Sequence, residues 1–519
     1  MPMGIGLGIG VTRFSGVGGF SPASLFAAGE PGVWYDPSDF STMFQDSAGT
    51  TPVTAVEQPV GLLLDKSQGL AIGSEIFSSF TSTGLWTVSG STYSISSAAS
   101  STDLQVNFTG TAGKRYVFSF TASGVSGGVI FYPLLTTPLN VVNGTNISRE
   151  LSNAGFFIIR AGTGASATVS NISIRELPGN HATQATSASR PVLSARVNLL
   201  TKTEQFDNAV WTKSNATISA IPVTAPDNTT TADTLTANAG TGTIPRFADV
   251  NVLTANGAVH TVSIYAKAGT YSFVQFYINS QGGEWANFTL SGSGTAVANG
   301  SSTAAISDVG SGWYRLTMNY TAGSTDRRPF FTLAASGTAT RAQTWNPVGT
   351  ETVYFWGADL RVANDGVNLP VYQRVNTSTD YDTAGFPYYL RFDGSDDSMA
   401  TNTITPGIDK TQVFAGVRKL SDAAQGVVAE MSATIASNNG TFLLAAPDDA
   451  SATFAFDSKG TTQVDAIASS LTAPLTRVVT GIGDISGDTA IIRINGVQAD
   501  QETSDQGTGN YLAYPLYIG

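Results

Sequence analysis

Residues 313–320 have the sequence Trp313-Tyr-Arg-Leu-Thr-Met-Asn-Tyr320, in which large apolar side chains alternate with polar ones. Successive side chains of a β-strand point to opposite faces, so this period of two predicts a half-buried strand. The even-numbered side chains would face a core and the odd-numbered ones would face outward. The stretch Arg115-Tyr-Val-Phe-Ser-Phe120 alternates in the same way. Both stretches predict an all-β chain.

The composition favours the same fold class. Only 12% of the 519 residues are charged, 55 are Gly, and Thr, Ser, Asn and Ala are abundant. β-branched and aromatic residues suit strands, whereas Gly and Asn supply turn geometry. Long windows rich in Leu, Glu and Lys are scarce, so we expect little helix. Because single cores stop growing near roughly 250–300 residues, the length predicts several domains.

Charge and cysteine content exclude several classes of function. The net charge of −12 and the absence of a basic run argue against nucleic-acid binding. Without Cys, neither disulfides nor thiolate metal sites can form, and each domain depends on its own core. The start, Met1-Pro-Met-Gly-Ile-Gly-Leu-Gly-Ile-Gly10, lacks the charged region of a signal peptide. No stretch of about 18 apolar residues predicts membrane insertion.

Turn-rich stretches divide the chain into seven parts. A duplication is expected, because Glu204–Trp211 resembles Ile76–Trp86 and a β-rich strand follows each Trp at a similar distance. The predicted organisation is a Gly-rich N-terminal docking segment (1–30), an irregular connector (31–74), a first β-sandwich (75–178), a linker (179–199), a second β-sandwich (200–363), a second linker (364–385) and a third β-sandwich (386–519).

Three parts resemble known families. The segment Gly32-Val-Trp-Tyr-Asp-Pro-Ser-Asp39 and its continuation to Lys66 are similar to a connector of phage and prophage structural proteins. The opening Leu390-Arg-Phe-Asp-Gly-Ser-Asp-Asp397 and the segment Arg493-Ile-Asn-Gly496 resemble laminin-G or concanavalin-A-like sandwiches. The duplicated modules resemble carbohydrate-binding jelly rolls. These resemblances imply two jelly-roll-like modules and one concanavalin-like sandwich, in which a further strand or two would be expected after Gly519.

Aromatic side chains are the candidate ligand contacts. The apolar face of a sugar packs on Trp or Tyr rings, while neighbouring polar groups hydrogen-bond its hydroxyls. Most Trp residues in sandwiches are core residues, an alternative that stays open for each one here. Trp86 and Trp211, which recur at the same place in both copies, are expected to be structural. The candidate glycan-binding residues of the second sandwich are Trp285, Trp313, Trp345, Tyr271, Tyr277, Arg327 and Arg328.

The N-terminus is the candidate particle-docking segment. Ile5, Leu7, Ile9 and Val11 alternate with Gly or another residue, a pattern that could add a strand to the sheet edge of a partner. A flexible terminus is an equal alternative, because Gly is costly to order.

Metal and catalytic sites are not expected. The two histidines, His181 in a predicted linker and His260 beside a strand, are far apart and have no Cys nearby. Asp393, Asp396 and Asp397 could bind calcium, as could Asp484 and Asp488, but an Asp-Gly-Ser-Asp sequence is also a favourable turn.

The sequence contains neither a barrel of βα units nor the stacked-coil repeat of a polysaccharide-cleaving tailspike. A G-x-S-x-G nucleophile elbow is also absent. We therefore expect no enzyme and no cofactor.

The leading hypothesis is a virion structural or attachment protein, a tail fibre or related appendage. Such a protein is made in the host cytoplasm, has other virion proteins as partners and contacts host surface glycans. A homo-oligomer is expected, with a trimer as the first choice. The alternatives are a purely structural capsid-decoration or baseplate protein without ligand, and a bacterial surface adhesin.

Overall fold

The structure is a computed structural model that describes residues 3–5, 21–27, 29–108, 110–111, 114–133, 138–151, 155–249, 251–254, 257–362, 371–432 and 434–519. Within these ranges the helices are three short 3-10 turns, Pro22–Phe26, Phe40–Thr42 and Ser187–Ser189. None of the described helices is long and apolar enough to cross a membrane. The predicted all-β fold of several sandwiches is confirmed.

The strands belong to three sandwiches and the segments that join them. In chain order they are β1 (Met3–Ile5), β2 (Met43–Phe44), β3 (Leu62–Leu63), β4 (Thr87–Ser89), β5 (Thr92–Ile95), β6 (Thr102–Phe108), β7 (Arg115–Ser126), β8 (Val129–Pro133), β9 (Leu139–Asn140), β10 (Gly144–Leu151), β11 (Gly155–Ala161), β12 (Ser166–Leu177), β13 (Ala182–Thr183), β14 (Val192–Ser194), β15 (Trp211–Ser214), β16 (Ala216–Val223), β17 (Ala232–Ala237), β18 (Arg246–Asp249), β19 (Val259–Ala268), β20 (Phe273–Ile278), β21 (Trp285–Thr289), β22 (Thr295–Asn299), β23 (Thr303–Gly310), β24 (Trp313–Thr321), β25 (Pro329–Leu333), β26 (Thr352–Val362), β27 (Val375–Thr377), β28 (Asp380–Tyr381), β29 (Tyr389–Phe392), β30 (Met399–Ile404), β31 (Lys410–Lys419), β32 (Val427–Met431), β33 (Thr441–Ala445), β34 (Phe454–Lys459), β35 (Gln463–Ala468), β36 (Leu475–Asp484), β37 (Thr489–Ile494), β38 (Val497–Glu502) and β39 (Tyr514–Ile518).

The first two sandwiches share one topology. The sheets of the first have the orders β10-β7-β12-β5-β4 and β6-β11-β8-β9. The second contains the corresponding orders β24-β19-β26-β17-β16 and β18-β25-β20-β21, with β23, β15 and β22 added at the edges. The strands correspond one to one along the chain, which agrees with the predicted duplication. In β24, the even-numbered side chains from Tyr314 to Tyr320 face the core, as their alternation predicts.

The third sandwich is assembled from distant parts of the chain. Its two sheets have the orders β14-β29-β1-β31-β36-β37-β38 and β2-β3-β13-β30-β39-β32-β33-β34-β35. Its core contains Met43, Leu63 and Leu193 together with residues after position 388, such as Leu390 and Phe456. The first and second sandwiches are therefore insertions between strands of the third.

This arrangement corrects the predicted connector and linkers. Residues 31–74 and 179–199 supply β2, β3, β13 and β14 to the third sandwich, where their apolar side chains are buried. In the predicted linker 364–385, residues 364–370 lie outside the described ranges. Val375 and Tyr381 from the rest of that segment are buried, and their strands form a two-stranded ribbon. Turn residues in the first two segments thus separate short strands, and several of these strands pair with strands that are remote in sequence.

Polar side chains hold these remote segments together. The carboxylate of Glu57 accepts hydrogen bonds from the hydroxyls of Ser194 and Tyr381, at 2.6 and 2.7 Å. Its second oxygen pairs with Arg391 at 2.8 Å. One acidic side chain therefore connects four separate stretches of the chain. Charged groups with full sets of partners of this kind make stronger hydrogen bonds than neutral groups do.

A second junction lies around Asp65, which is fully buried. Its carboxylate accepts backbone N–H bonds from Trp34, Ser67 and Asn180, each at 2.8 Å. Its own N–H donates to Nδ1 of His181 at 2.9 Å. This network fixes the segment before the first sandwich against the segment that follows it.

Candidate functional site

One sheet of the second sandwich carries aromatic side chains on its outer face. In β20, Phe276 and Ile278 belong to the core, so the side chain of Tyr277 between them points away from it. The antiparallel register places Phe330 of β25 on one side of Tyr277 and Trp285 of β21 on the other. Directly opposed residues share a face of the sheet. We refer to Phe330, Tyr277 and Trp285 as the aromatic row.

The aromatic row offers two partly exposed rings beside a buried one. Tyr277 is buried at 3% exposure, whereas Phe330 and Trp285 are partly exposed. The rings of Tyr277 and Phe330 stack, with centroids 5.1 Å apart and planes 12° apart. Nε1 of Trp285 is buried without a hydrogen-bond partner in the described part of the chain. Asn299 of the edge strand β22 lies opposite Trp285 and extends the row with a polar side chain.

Two arginines fix the rings of the aromatic row. The guanidinium of Arg246 lies 4.9 Å from the ring centroid of Phe330 and donates to the hydroxyl of Tyr277. The guanidinium of Arg341 lies 5.0 Å from the Tyr277 ring and donates to the Ile278 carbonyl at 2.6 Å. Burial raises the pKa of Tyr277, although both arginines oppose this effect. The phenol is therefore neutral at physiological pH.

The segment that carries Arg341 is anchored on the same outer face. Gln275 and Asn287 are buried there and hydrogen-bond each other at 2.7 Å. The Asn287 amide also donates to the Ala339 carbonyl at 2.7 Å, and the Gln275 carbonyl oxygen accepts the Ala342 N–H at 2.7 Å. These contacts cover the polar part of the face and leave the aromatic row at the border of the covered area.

Polar groups line one side of the aromatic row. Arg328 is two residues before Phe330 in the chain, and its guanidinium pairs with Asp326. The Asn279 side chain donates to the Asp326 carboxylate at 3.0 Å. These exposed or partly exposed groups can exchange hydrogen bonds with a hydroxyl-rich ligand.

The structure separates the seven predicted contact residues into groups. Tyr277, Trp285 and Arg328 lie together at the aromatic row. Tyr271 and Trp345 form another stacked pair, with centroids 5.1 Å apart, that packs partly buried against the core. The remaining two, Arg327 and Trp313, do not contribute rings or free charges to the row.

Arg327 is held by its own neighbourhood, because its N–H donates to the Thr254 hydroxyl at 3.1 Å and its guanidinium donates to the Asp326 carbonyl. Trp313 must be withdrawn as a ligand contact. It belongs to the other sheet, is 1% exposed, and donates its Nε1–H to the Thr224 carbonyl at 3.1 Å. Its outward position in the alternation is correct, but Trp356 and Ala232 cover it.

Phe330, Arg246 and Arg341 escaped the sequence-based prediction. Phe330 belongs to the stretch Pro329-Phe-Phe-Thr-Leu333, whose alternation identifies a strand but does not tell which Phe faces outward. Arg246 and Arg341 approach the row through tertiary contacts with no local signal. Knowledge that β20 and β25 are neighbouring strands would have been needed to place Phe330 beside Tyr277.

The predicted docking residues lie partly outside the described ranges. Ile5 of β1 pairs with Leu390 of β29 and with Val417 of β31. The sequence predicted that this segment adds a strand to the sheet of a partner. Met3–Ile5 instead adds a strand to a sheet of its own chain. Leu7, Ile9 and Val11 lie outside the described residues, and docking by them stays a prediction.

The first aspartate cluster forms a turn. Oδ1 of Asp393 accepts the N–H groups of Ser395, Asp396 and Asp397, at 2.8 to 3.3 Å. These bonds lower the pKa of Asp393. The three carboxylates also have oxygens within 4.8 Å of one another, beside a pocket of about 380 Å³ that Glu430 helps to line. The hydrogen bonds account for the cluster as a turn.

The other acidic pair and the histidines also have structural roles. Asp484 pairs with Lys410, and Asp488 accepts the Gln506 N–H at 3.0 Å. His260 is buried and stacks on a tyrosine of the neighbouring strand. His181, which was predicted to lie in a linker, is buried because the segment that contains it is part of the third sandwich.

Comparisons with known proteins give structural similarity alone. Neither a protein-family model nor a curated protein sequence matches this chain. The tandem CBM22-1-CBM22-2 domain of Paenibacillus barcinonensis Xyn10C is 12% identical over 56% of this chain and 98% of that one, with a TM-score of 0.22. Mouse laminin α1 domains LG4-5 are 12% identical over 51% of this chain and 77% of that one, with a TM-score of 0.17. Similarity at this level does not inform function.

Proposed function

We propose that this chain binds carbohydrate through the aromatic row of the second sandwich. The observation that carries the proposal is the alignment of Phe330, Tyr277 and Trp285 across three adjacent strands, with the two outer rings partly exposed. The apolar face of a pyranose ring packs on such rings. Preorganised rings also lose little conformational freedom when a ligand binds.

The polar groups beside the row match the hydroxyls of a sugar. Asn299 lies next to Trp285, and the amide of Asn279 lies beside Asp326. Arg328 and Asp326 neutralise each other, so the rim favours a neutral sugar over a strongly charged one. Because a shallow platform buries little ligand surface, we expect dissociation constants of roughly millimolar to micromolar.

The proposed biological setting is a virion. A tail fibre or related attachment protein would present the sandwiches to host surface glycans and contact other virion proteins. The cysteine-free, all-β composition supports this setting. Assembly as a homo-oligomer, with a trimer as the first expectation, would convert weak single-site binding into avidity. A purely structural role in a capsid or baseplate is the alternative.

A glycan array probed with the full-length protein tests the proposal. We expect Trp285→Ala and Phe330→Ala each to weaken binding of the recognised glycan at least about tenfold, since each removes one stacking surface. Phe414→Ala is the matched control, because Phe414 is 44% exposed on the third sandwich. Circular dichroism should show all three variants folded.

Two outcomes contradict the proposal. If the wild-type protein binds neither an array glycan nor host cells, the purely structural role is favoured. If Phe414→Ala weakens binding as much as Trp285→Ala does, the ligand contacts another face of the molecule.

A further inference from the structure

The outer face of the larger sheet in the third sandwich contains an incompletely satisfied carboxylate. In β34, Phe454 and Phe456 belong to the core, so Asp457 points to the opposite side of the sheet. Across the strands, Asp457 is paired with Leu443 of β33 and with Asp465 of β35. Two aspartates thus face each other directly, an arrangement that is destabilising when both are charged.

Asp457 is also deeply buried. The residue is 4% exposed, and its Oδ1 has no hydrogen-bond partner in the described part of the chain. Leaving a buried charged oxygen without a partner is unfavourable, because no protein group replaces the water that it loses. Besides Asp465, the carboxylates of Asp448 and Glu430 lie near enough to act on Asp457, so its surroundings are acidic. A cation beside this carboxylate would supply the missing partner.

The side-chain amide of Gln463 lies between the two aspartates. Nε2 of Gln463 donates to Oδ2 of Asp457 at 3.3 Å and to Oδ1 of Asp465 at 2.9 Å. An amide N–H group is a neutral substitute for a cation at such a point. Lys459 lies on the same face but does not fill this role, because its ammonium donates to the carbonyls of Ile435 and Ala436.

We propose that Asp457 and Asp465 bind a hard divalent cation of the calcium type between them. Rotation of the Gln463 amide would replace its N–H donors with its carbonyl oxygen and provide a third oxygen ligand. Calcium takes 6–8 oxygen ligands at about 2.3–2.6 Å, and water can complete the shell because Asp465 is exposed.

The depth of the site selects a small ion over a larger cationic group. Oδ1 of Asp457 is closed to solvent, so a guanidinium or an organic amine could not reach it without displacing the sheet. The turn cluster of Asp393, Asp396 and Asp397 is a weaker competitor, since Asp393 already accepts three N–H bonds. These two acidic sites can be distinguished by substitution.

Calorimetric titration of the full-length protein with calcium chloride, after removal of metal by chelation, tests this proposal. We expect one equivalent of Ca²⁺ to bind the wild type and the Asp393→Asn control. Asp457→Asn and Asp465→Asn should each weaken binding at least about tenfold, because each removes one charged ligand. Asp457→Asn is nearly isosteric and removes one of two directly opposed carboxyl groups, so it should fold in the absence of metal.

Hydrogen exchange in residues 454–468 provides a local second measurement. Calcium should slow exchange there in the wild type and in Asp393→Asn, but not in Asp457→Asn. The proposal is overturned if millimolar calcium neither binds the wild type nor slows this exchange. It is also overturned if Asp393→Asn abolishes binding while Asp457→Asn retains it.

Discussion

Acidification should loosen the junction around His181. Nδ1 of His181 accepts the Asp65 N–H, and Nε2 lies 3.3 Å from the Leu177 carbonyl, so the neutral tautomer with Nε2–H satisfies both contacts. Burial, followed by the charge of Arg115, lowers the pKa of His181 to about 3. A second proton on the ring would displace the hydrogen bond from Asp65.

The sign and size of the effect follow from proton linkage. An unfolded histidine takes up its proton near pH 6.5, whereas His181 in the folded chain does so only near pH 3. The unfolded state therefore binds more protons between these values. Stability from the neutral ring is complete above about pH 6.5 and is lost as the pH falls toward 3. One pKa unit corresponds to about 1.4 kcal/mol, so acidification from pH 7.5 to 5 should cost about 2 kcal/mol.

A local measurement is needed because other titratable groups make the stability change with pH in the opposite direction. Burial is the main reason that the pKa of Asp233 is raised to about 6 and that of Asp457 to about 8. Their stabilising contributions are present at low pH and are lost as the pH rises through those values. Both residues lie in other parts of the structure, in the second and third sandwiches. Global unfolding would mix these contributions with that of His181.

Hydrogen exchange of peptides covering residues 62–65 and 177–183, corrected for intrinsic exchange rates, isolates the junction. The opening free energy of the wild type should fall by about 2 kcal/mol from pH 7.5 to 5. His181→Gln, which cannot titrate, should remove this dependence. His260→Gln in the second sandwich is the matched control and should preserve it. Survival of the full pH dependence in His181→Gln would refute the reasoning.

Two further predictions concern the separate sandwiches. Trp211→Ala removes a ring that is 1% exposed and packs against Phe206 and Phe247, so it should destabilise the second sandwich by about 3–5 kcal/mol. Calorimetry should show one transition lowered, and an equal shift of all transitions would contradict the independence of this core. Deletion of residues 1–5 removes β1 from between β29 and β31. Limited proteolysis should then cleave the third sandwich faster while sparing the other two, whereas unchanged cleavage would show that β1 adds no stability there.

Local alternation was sufficient to predict much of the strand content. The period of two in β7 and β24 identified both the strands and their buried faces, because each strand is long enough for the pattern to repeat. The strands β2, β3 and β13 contain two residues each and carry no such signal. β3 and β13 pair with each other across the whole first sandwich, and all three strands were interpreted as connector and linker.

The candidate site was predictable only in part for a related reason. Aromatic content pointed to the second sandwich, but alternation within a strand does not show which outward residues other segments will cover. Trp313 is outward and covered by Trp356, whereas Trp285 is outward and partly exposed. The contact between Arg341 and Tyr277 depends on how a segment more than sixty residues away folds back. Tertiary packing decides this difference.

The insertion of two sandwiches into a third has a consequence for the order of folding. The third sandwich cannot complete its sheets until β29 and later strands leave the ribosome. The early strands β1 and β14 pair with β29, and β3 is joined through β13 to β30. Each inserted sandwich can form earlier, since domains generally fold as units during synthesis. Once folded, each inserted sandwich holds its two chain ends side by side: Glu75 bridges Arg175 in the first, and the Leu199 N–H donates to the Leu360 carbonyl in the second.

A folded insertion therefore replaces a long flexible loop with a short rigid connection, which reduces the entropy lost when the distant strands meet. Nascent chains that fail to form either inserted sandwich should leave the edge strands of the third unpaired and prone to aggregation.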